Sequence, residues 1–170
     1  MAAAHANFDW VAPDLAVGGS FPPAAAAVIR RHGLGAIIDL RDEACDDRSL
    51  LRRARVEFLH LPTPDRCGVS QAMLDSGVDF ARSAATANRR LLVHCAQGIG
   101  RSATLALCVL VDRGAPPLEA LRQAKAARPM ISPSPEQYEA WAEWLGRRGA
   151  TAPSFHEFGC VAYAHLVQGA

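Results

Sequence analysis

Short apolar runs of strand length alternate with longer helical stretches along most of this chain, and that alternation limits the folds open to it. Leu15 to Val17 reads as a short strand closed by Gly18-Gly19. Pro22-Pro23 then opens an Ala-rich helix to His32, with Gly33 in the place of a C-terminal cap. Ala36 to Leu40 (AIIDL) and Val56 to Leu61 (VEFLHL) are strands, with a short helix between them from Arg48 to Arg55. Pro62 to Gly68 (PTPDRCG) is expected to be a loop, because two prolines and a glycine interrupt either ladder. Ser70 caps a helix running to about Asn88, and Leu91 to His94 (LLVH) is a buried strand. Helices follow from Arg101 to Arg113, from Pro117 to Ala127, and from the capping-box sequence Ser134-Pro135-Glu136-Gln137. This pattern predicts an α/β fold: a central, mostly parallel sheet of four to five strands flanked by helices. Residues 1–150 form the body. Residues 151–170 are a C-terminal extension, read as a last helix packed on that body.

A ligand of such a sheet sits beyond the carboxyl ends of the strands. One strand-to-helix turn there carries dense chemistry: His94-Cys95-Ala96-Gln97-Gly98-Ile99-Gly100-Arg101-Ser102. Backbone N–H groups from Ala96, Gln97, Gly98, Ile99 and Gly100, at the mouth of a helix, would converge into an anion cradle. Gly98 and Gly100 permit the tight turn, and Arg101 offers a planar fork for two phosphoryl oxygens. The same field would favour the thiolate of Cys95, a nucleophile facing a bound tetrahedral anion. Ser102 can donate to that sulfur when it leaves, and His94 can brace the loop through its ring.

The spacing H-C-x-x-G-x-x-R-[ST] resembles the signature of the protein tyrosine phosphatase superfamily, with the small dual-specificity phosphatases as the nearest branch. Asn7 to Leu145 carries the likeness, with weaker echoes in a DLRDE stretch and in RPMISPSPEQY. The resemblance implies the cysteine phosphatase fold and a cysteinyl-phosphate intermediate on Cys95. It also implies transition-state binding by Arg101 and assistance from Ser102 in hydrolysis of the intermediate. Such a reaction needs a proton donor for the leaving oxygen. Asp65 is the candidate: it lies in the PTPDRCG loop, on the same sheet edge as Cys95 and 30 residues before it, where that branch places its general acid. Asp39 falls inside a strand, and Asp42, Glu43, Asp46 and Asp47 read as a solvated charge run. Ser134 and Gln137 would order the site water by resemblance, though capping explains them equally well.

The wider composition narrows the partners. Net charge is +1, which marks no nucleic-acid binder, and no apolar stretch approaches a membrane span. Of the 18 basic residues only Lys125 is lysine, an excess of arginine that reads as genome bias. Arg48, Arg52, Arg53 and Arg55 could attract an acidic substrate, but a solvated helix face accounts for them as well. The five cysteines lack a CxxC pair and suggest a reducing, cytoplasmic setting. Cys45 and Cys67 are placed in loops bordering the site, and Cys108 in the core.

The expected partner is a phosphorylated protein or a small-molecule phosphoester, taken by a monomer with no metal and no cofactor. A shallow site would accept phosphotyrosine and phosphoserine or phosphothreonine. The uncharged Ala96, Gln97 and Ile99 disfavour a phosphoinositide. A rhodanese-type sulfurtransferase would not need Asp65, and an inactive phosphopeptide binder would not need the full set of reactive residues.

Overall fold

The computed structural model describes residues 6–22 and 26–168. Its sheet has five strands, β1 (Phe8–Ala12), β2 (Leu15–Gly18), β3 (Leu34–Arg41), β4 (Glu57–Thr63) and β5 (Arg90–His94), in the spatial order β1-β2-β5-β3-β4. All neighbours are parallel except β1, which pairs antiparallel with β2. The helices are α1 (Ala26–Arg31), α2 (Arg48–Arg53), α3 (Gln71–Thr86), α4 (Arg101–Asp112), α5 (Pro117–Ala127), α6 (Pro135–Arg147), α7 (Phe155–Ala162) and α8 (Ala164–Val167).

The near-continuous apolar runs of β3 and β5 reflect burial on both faces. Side chains alternate across the sheet, so Ile38, Leu91 and Val93 enter a large core with Leu105, Trp141 and Phe158. Ile37 and Leu92 turn to the opposite face and meet Ile29, Leu51 and Val56 in a smaller core. The helix after β3 therefore packs on one face and the helix after β5 on the other. Their divergence opens a crevice at the carboxyl end of β5, where such folds bind ligands.

Two local readings need correction. The strand β1 was not legible as one, because four of its five residues are only half-buried and its apolar alternation is weak. Pro62 and Thr63 belong to β4 rather than to the following loop. At a sheet edge a residue without an N–H can continue a strand, provided its missing donor faces outward. The start of the Ala-rich helix at Pro23 lies outside the described residues; its end is marked by Gly33 in the left-handed region at φ 65°.

Beyond Ala150, Ser154 caps α7 through a reciprocal box with Glu157. Phe158 of that helix is fully buried, which contributes roughly 2–3 kcal/mol. Lys125 donates from Nζ to the carbonyls of Ile131 and Ala162, each at 2.6 Å, and so ties α5 to the end of α7. No described helix is long and apolar enough to cross a membrane.

Candidate active site

Residues 95–100 form the loop between β5 and α4, and the carbonyls of residues 96–100 are all engaged away from the cleft. Ser20 N–H donates to Ala96 O at 2.9 Å, Arg128 donates to Gln97 O and Gly98 O at 2.8 Å each, Ser132 N–H donates to Ile99 O at 3.0 Å, and Thr104 N–H donates to Gly100 O at 2.9 Å. The carbonyl and the following N–H of a trans peptide point in opposite directions. Five carbonyls held outward therefore turn the succeeding N–H groups toward the concave side, as an anion cradle requires. Gly98 adopts φ 71°, and a Cβ there would stand 2.4 Å from the Gly18 carbonyl carbon. Only glycine fits on both counts. Gly100, at φ −120°, needs no left-handed conformation; a Cβ there would meet Gln137 Oε1 at 2.3 Å and displace that side chain.

Cys95 lies at the base of the loop and is buried, 3% exposed. Gly98 N–H donates to its Sγ at 3.3 Å, and Ser102 Oγ lies 3.3 Å from the same sulfur. Burial alone pushes the thiol up. Hydrogen bonds from the Ser102 side chain and backbone and from Gly98, together with the Arg101 charge, outweigh it and hold the thiol below its ordinary range. Ser102→Ala is therefore expected to move the pH midpoint of Cys95 alkylation by iodoacetamide upward, because a donor to the thiolate is lost. An unchanged midpoint would show that Ser102 does not stabilise the thiolate.

Arg101 is 1% exposed and anchored on its Nη atoms. Nη1 donates to Glu43 Oε2 at 2.8 Å and to Thr63 O at 2.7 Å, and Nη2 donates to Glu43 Oε1 at 2.8 Å. Its Nε is buried and has no acceptor among the described residues. Hydrogen bonds from Arg101 hold the Glu43 carboxyl down at about 2, so it is a full anion at neutral pH.

The acidic run is thus more than a solvated loop. Glu43 orients the guanidinium in a two-point pair, and Asp46, with a side chain 6% exposed, lies 2.6 Å from His94 Nε2. An ionised carboxylate only accepts, so this contact fixes a proton on Nε2 of His94. Nδ1 of the same ring stands 3.3 Å from the Cys95 carbonyl. Asp39, fully buried in β3, accepts from Arg41 and from the backbone N–H of Asp46, which locks the loop in place. Asp47 caps α2 by accepting from Leu50 N–H at 2.9 Å. Asp42 remains exposed.

Sequence reasoning also missed Arg128. Its buried guanidinium binds the loop carbonyls described above and pairs with Asp9 at 2.8 Å, so it braces the cradle from behind. The only trace of Glu43 and Arg128 in the sequence was their position in the DLRDE and RPMISPSPEQY stretches.

Cys95 opens onto a cleft of about 660 Å³ whose walls include Asp65, Cys67, Ile99, Ser134 and Gln137. Asp65 is 74% exposed and its Oδ1 lies 3.5 Å from Arg101 Nη2, which brings the carboxyl to the rim of the cradle. Ser134 Oγ donates to Arg66 O at 2.7 Å, tying the Asp65 loop to the start of α6. Ser134 and Gln137 also complete their capping box, with Ser134 N–H donating to Gln137 Oε1 at 2.8 Å. Cys67 borders the cleft as expected. Cys45 does not: it lines a separate pocket of about 180 Å³ with Phe21, Arg41 and Leu50. Cys108 is fully buried in α4, where burial pushes its thiol well up.

Comparison with known proteins agrees with this geometry. The family description "Dual specificity phosphatase, catalytic domain" matches residues 19–145. Human dual specificity protein phosphatase 16 is 34% identical over 109 residues, covering 63% of this chain and 16% of that protein. Mouse phosphatidylglycerophosphatase and protein-tyrosine phosphatase 1 is 34% identical over 102 residues, covering 59% of this chain and 53% of that one. The chain therefore spans half or less of the length of several relatives it matches. Among solved structures, Tk-PTP in its active form superposes with a TM-score of 0.77 at 24% identity, covering 83% of this chain and 97% of that one. With three-quarters of its residues inside the matched region, the chain belongs to the dual specificity phosphatase catalytic-domain family.

Proposed function

We propose that this protein hydrolyses phosphomonoesters on proteins, through a phosphoryl group carried transiently on Cys95. The observation that carries this reading is the unpartnered Nε of Arg101, a buried donor on a guanidinium whose outer nitrogens are already committed to Glu43 and Thr63. A buried N–H without an acceptor is costly, and here it adjoins a low-pKa thiol and a ring of inward N–H groups. The three non-bridging oxygens of a phosphoryl group can together accept from Arg101 Nε and the loop N–H groups, with phosphorus facing the sulfur.

In the first step the Cys95 thiolate attacks phosphorus in line, an S–P bond forms, and the bond from phosphorus to the leaving oxygen breaks. Asp65 gives its proton to that oxygen. In the second step water attacks phosphorus, its proton returns to Asp65, and the sulfur leaves as a thiolate stabilised by the Ser102 hydroxyl. Arg101 and the loop N–H groups match the equatorial oxygens through both transition states.

The protein substrate is favoured by the cleft itself. Ala96, Gln97 and Ile99 add no charge beyond the cradle, and among the described residues Arg66 is the one basic side chain on the walls besides the guanidinium below. That suits a single phosphate on an otherwise ordinary chain better than a polyphosphorylated head group. A panel of phosphotyrosine and phosphothreonine peptides against vesicles containing phosphatidylglycerophosphate or phosphoinositides tests the choice. Faster turnover of the lipids would replace this reading with a lipid phosphatase.

Asp65→Asn is expected to lower kcat about 10²- to 10⁴-fold while vanadate binding stays nearly unchanged. The loss should be larger for alkyl phosphates, whose leaving oxygen needs the proton, than for an activated aryl phosphate. Full activity in this variant would remove Asp65 from the mechanism.

A further inference from the structure

A second concave surface lies at the opposite end of the sheet. Arg48 and Arg52 of α2, Arg55 of the turn into β4, and Arg89 before β5 border a groove of about 380 Å³ floored by Val56 and Phe58. β3, β4 and β5 run parallel, so the groove at Glu57 and Arg89 is separated from the cleft beyond Thr63 and His94 by the length of a strand, roughly 20 Å.

Several surface arginines of this protein have acidic partners: Arg113 pairs with Asp14, Arg147 with Asp75, and Arg82 and Arg148 with Asp112. Around the groove, only Arg89 does, through Glu57 at 3.0 Å. Arg48, Arg52 and Arg55 have no carboxylate partner among the described residues. Arg48 instead lies over the Phe58 ring at 5.2 Å from its centroid, a placement that holds the guanidinium beside the groove. Arg55 occupies the left-handed region at φ 58°, where glycine or asparagine is usual. Other surface arginines also lack a carboxylate partner; what sets these three apart is their convergence, from a helix and a tight turn, on one groove.

The groove also reaches the first two residues, Glu57 and Phe58, of an unpaired edge strand. β4 is the last strand and bonds to β3 alone, and its Pro62 lies at the far, cleft end. An extended chain laid along Glu57 to Leu61 would find main-chain partners on β4 and guanidiniums beside it. We propose that this groove docks an acidic, extended segment of a partner protein, with carboxylates on Arg48, Arg52 and Arg55 and an apolar side chain against Phe58. Backbone pairing with β4 distinguishes this occupant from nucleic acid or a lipid surface, neither of which offers a strand to pair.

The test is binding of a fluorescein-labelled peptide of alternating glutamate and valine to the 170-residue chain carrying Cys95→Ser, read by anisotropy. This readout needs no turnover, so it stands or falls apart from the phosphatase reading. Arg48→Glu/Arg52→Glu is expected to weaken the peptide about tenfold or more, and aryl phosphate hydrolysis in the otherwise native chain should be unchanged. The neutral pair Arg48→Gln/Arg52→Gln, with the melting temperature checked, serves if charge reversal disturbs the fold. A peptide N-methylated on alternate residues should bind weakly even to unaltered arginines. Equal binding by the arginine variants, or undiminished binding of the N-methylated peptide, overturns the proposal. So does Arg48- and Arg52-dependent capture of RNA or phosphatidylserine vesicles with no affinity for the peptide.

Discussion

Replacing Cys95 with serine should abolish hydrolysis of an aryl phosphate, with a loss of at least about 10⁴-fold in kcat. The fold should survive, because serine is slightly smaller than cysteine and Gly98 N–H and Ser102 can still hydrogen-bond to it. The chemistry should not. A serine hydroxyl has a far higher pKa than a thiol already held below its ordinary range by Ser102, Gly98 and Arg101, so almost no nucleophile exists at neutral pH. Vanadate should still bind in the cradle, because the loop N–H groups and Arg101 are untouched. Steady-state rates, vanadate titration and a melting curve on the same preparation separate the three effects. Substantial turnover by the serine variant would point to a different nucleophile.

Arg101→Lys should be nearly as damaging, at about 10²- to 10³-fold in kcat or more, although it keeps the charge. Lysine can reach one acceptor at a time as a point donor. It cannot hold both oxygens of Glu43, bond Thr63 O, and still present a further N–H from the same rigid plane. The loss should therefore appear in vanadate affinity and in kcat together, whereas Asp65→Asn spares vanadate affinity. A lysine variant with near-normal kcat would mean that charge, and not the fork, is what the site requires.

Much of this was legible in the sequence because the information was local. The strand LLVH, the glycines at 98 and 100, and the Cys95–Arg101 spacing lie within a dozen residues, and one turn geometry satisfies all of them. The capping box at Ser134 and the helix beginning at Pro117 were local in the same sense. What escaped was non-local. Glu43 reaches Arg101 across 58 positions, Asp46 reaches His94 across 48, and Arg128 reaches Asn7 across 121. No periodicity or spacing rule links residues so far apart, and an acidic run in a loop looks solvated until the sheet brings β3 beside β5. β1 was missed because at the edge of a sheet burial is partial and the apolar pattern that identifies a strand fades. Pro62 and Thr63 were read as loop because prolines and a glycine signal a break, a signal that an edge strand such as β4 can override.

The central claim is that the phosphoryl group passes through the sulfur of Cys95. Acid-quenching the protein within a turnover of ³²P-labelled phosphopeptide, followed by peptide mapping, tests it directly. The label should be found on the peptide containing Cys95, be lost in Cys95→Ser, and accumulate in Ser102→Ala, where thiolate departure is slowed. Label on another residue, or turnover with no covalent phosphoryl group on Cys95 in any of these proteins, would contradict the account.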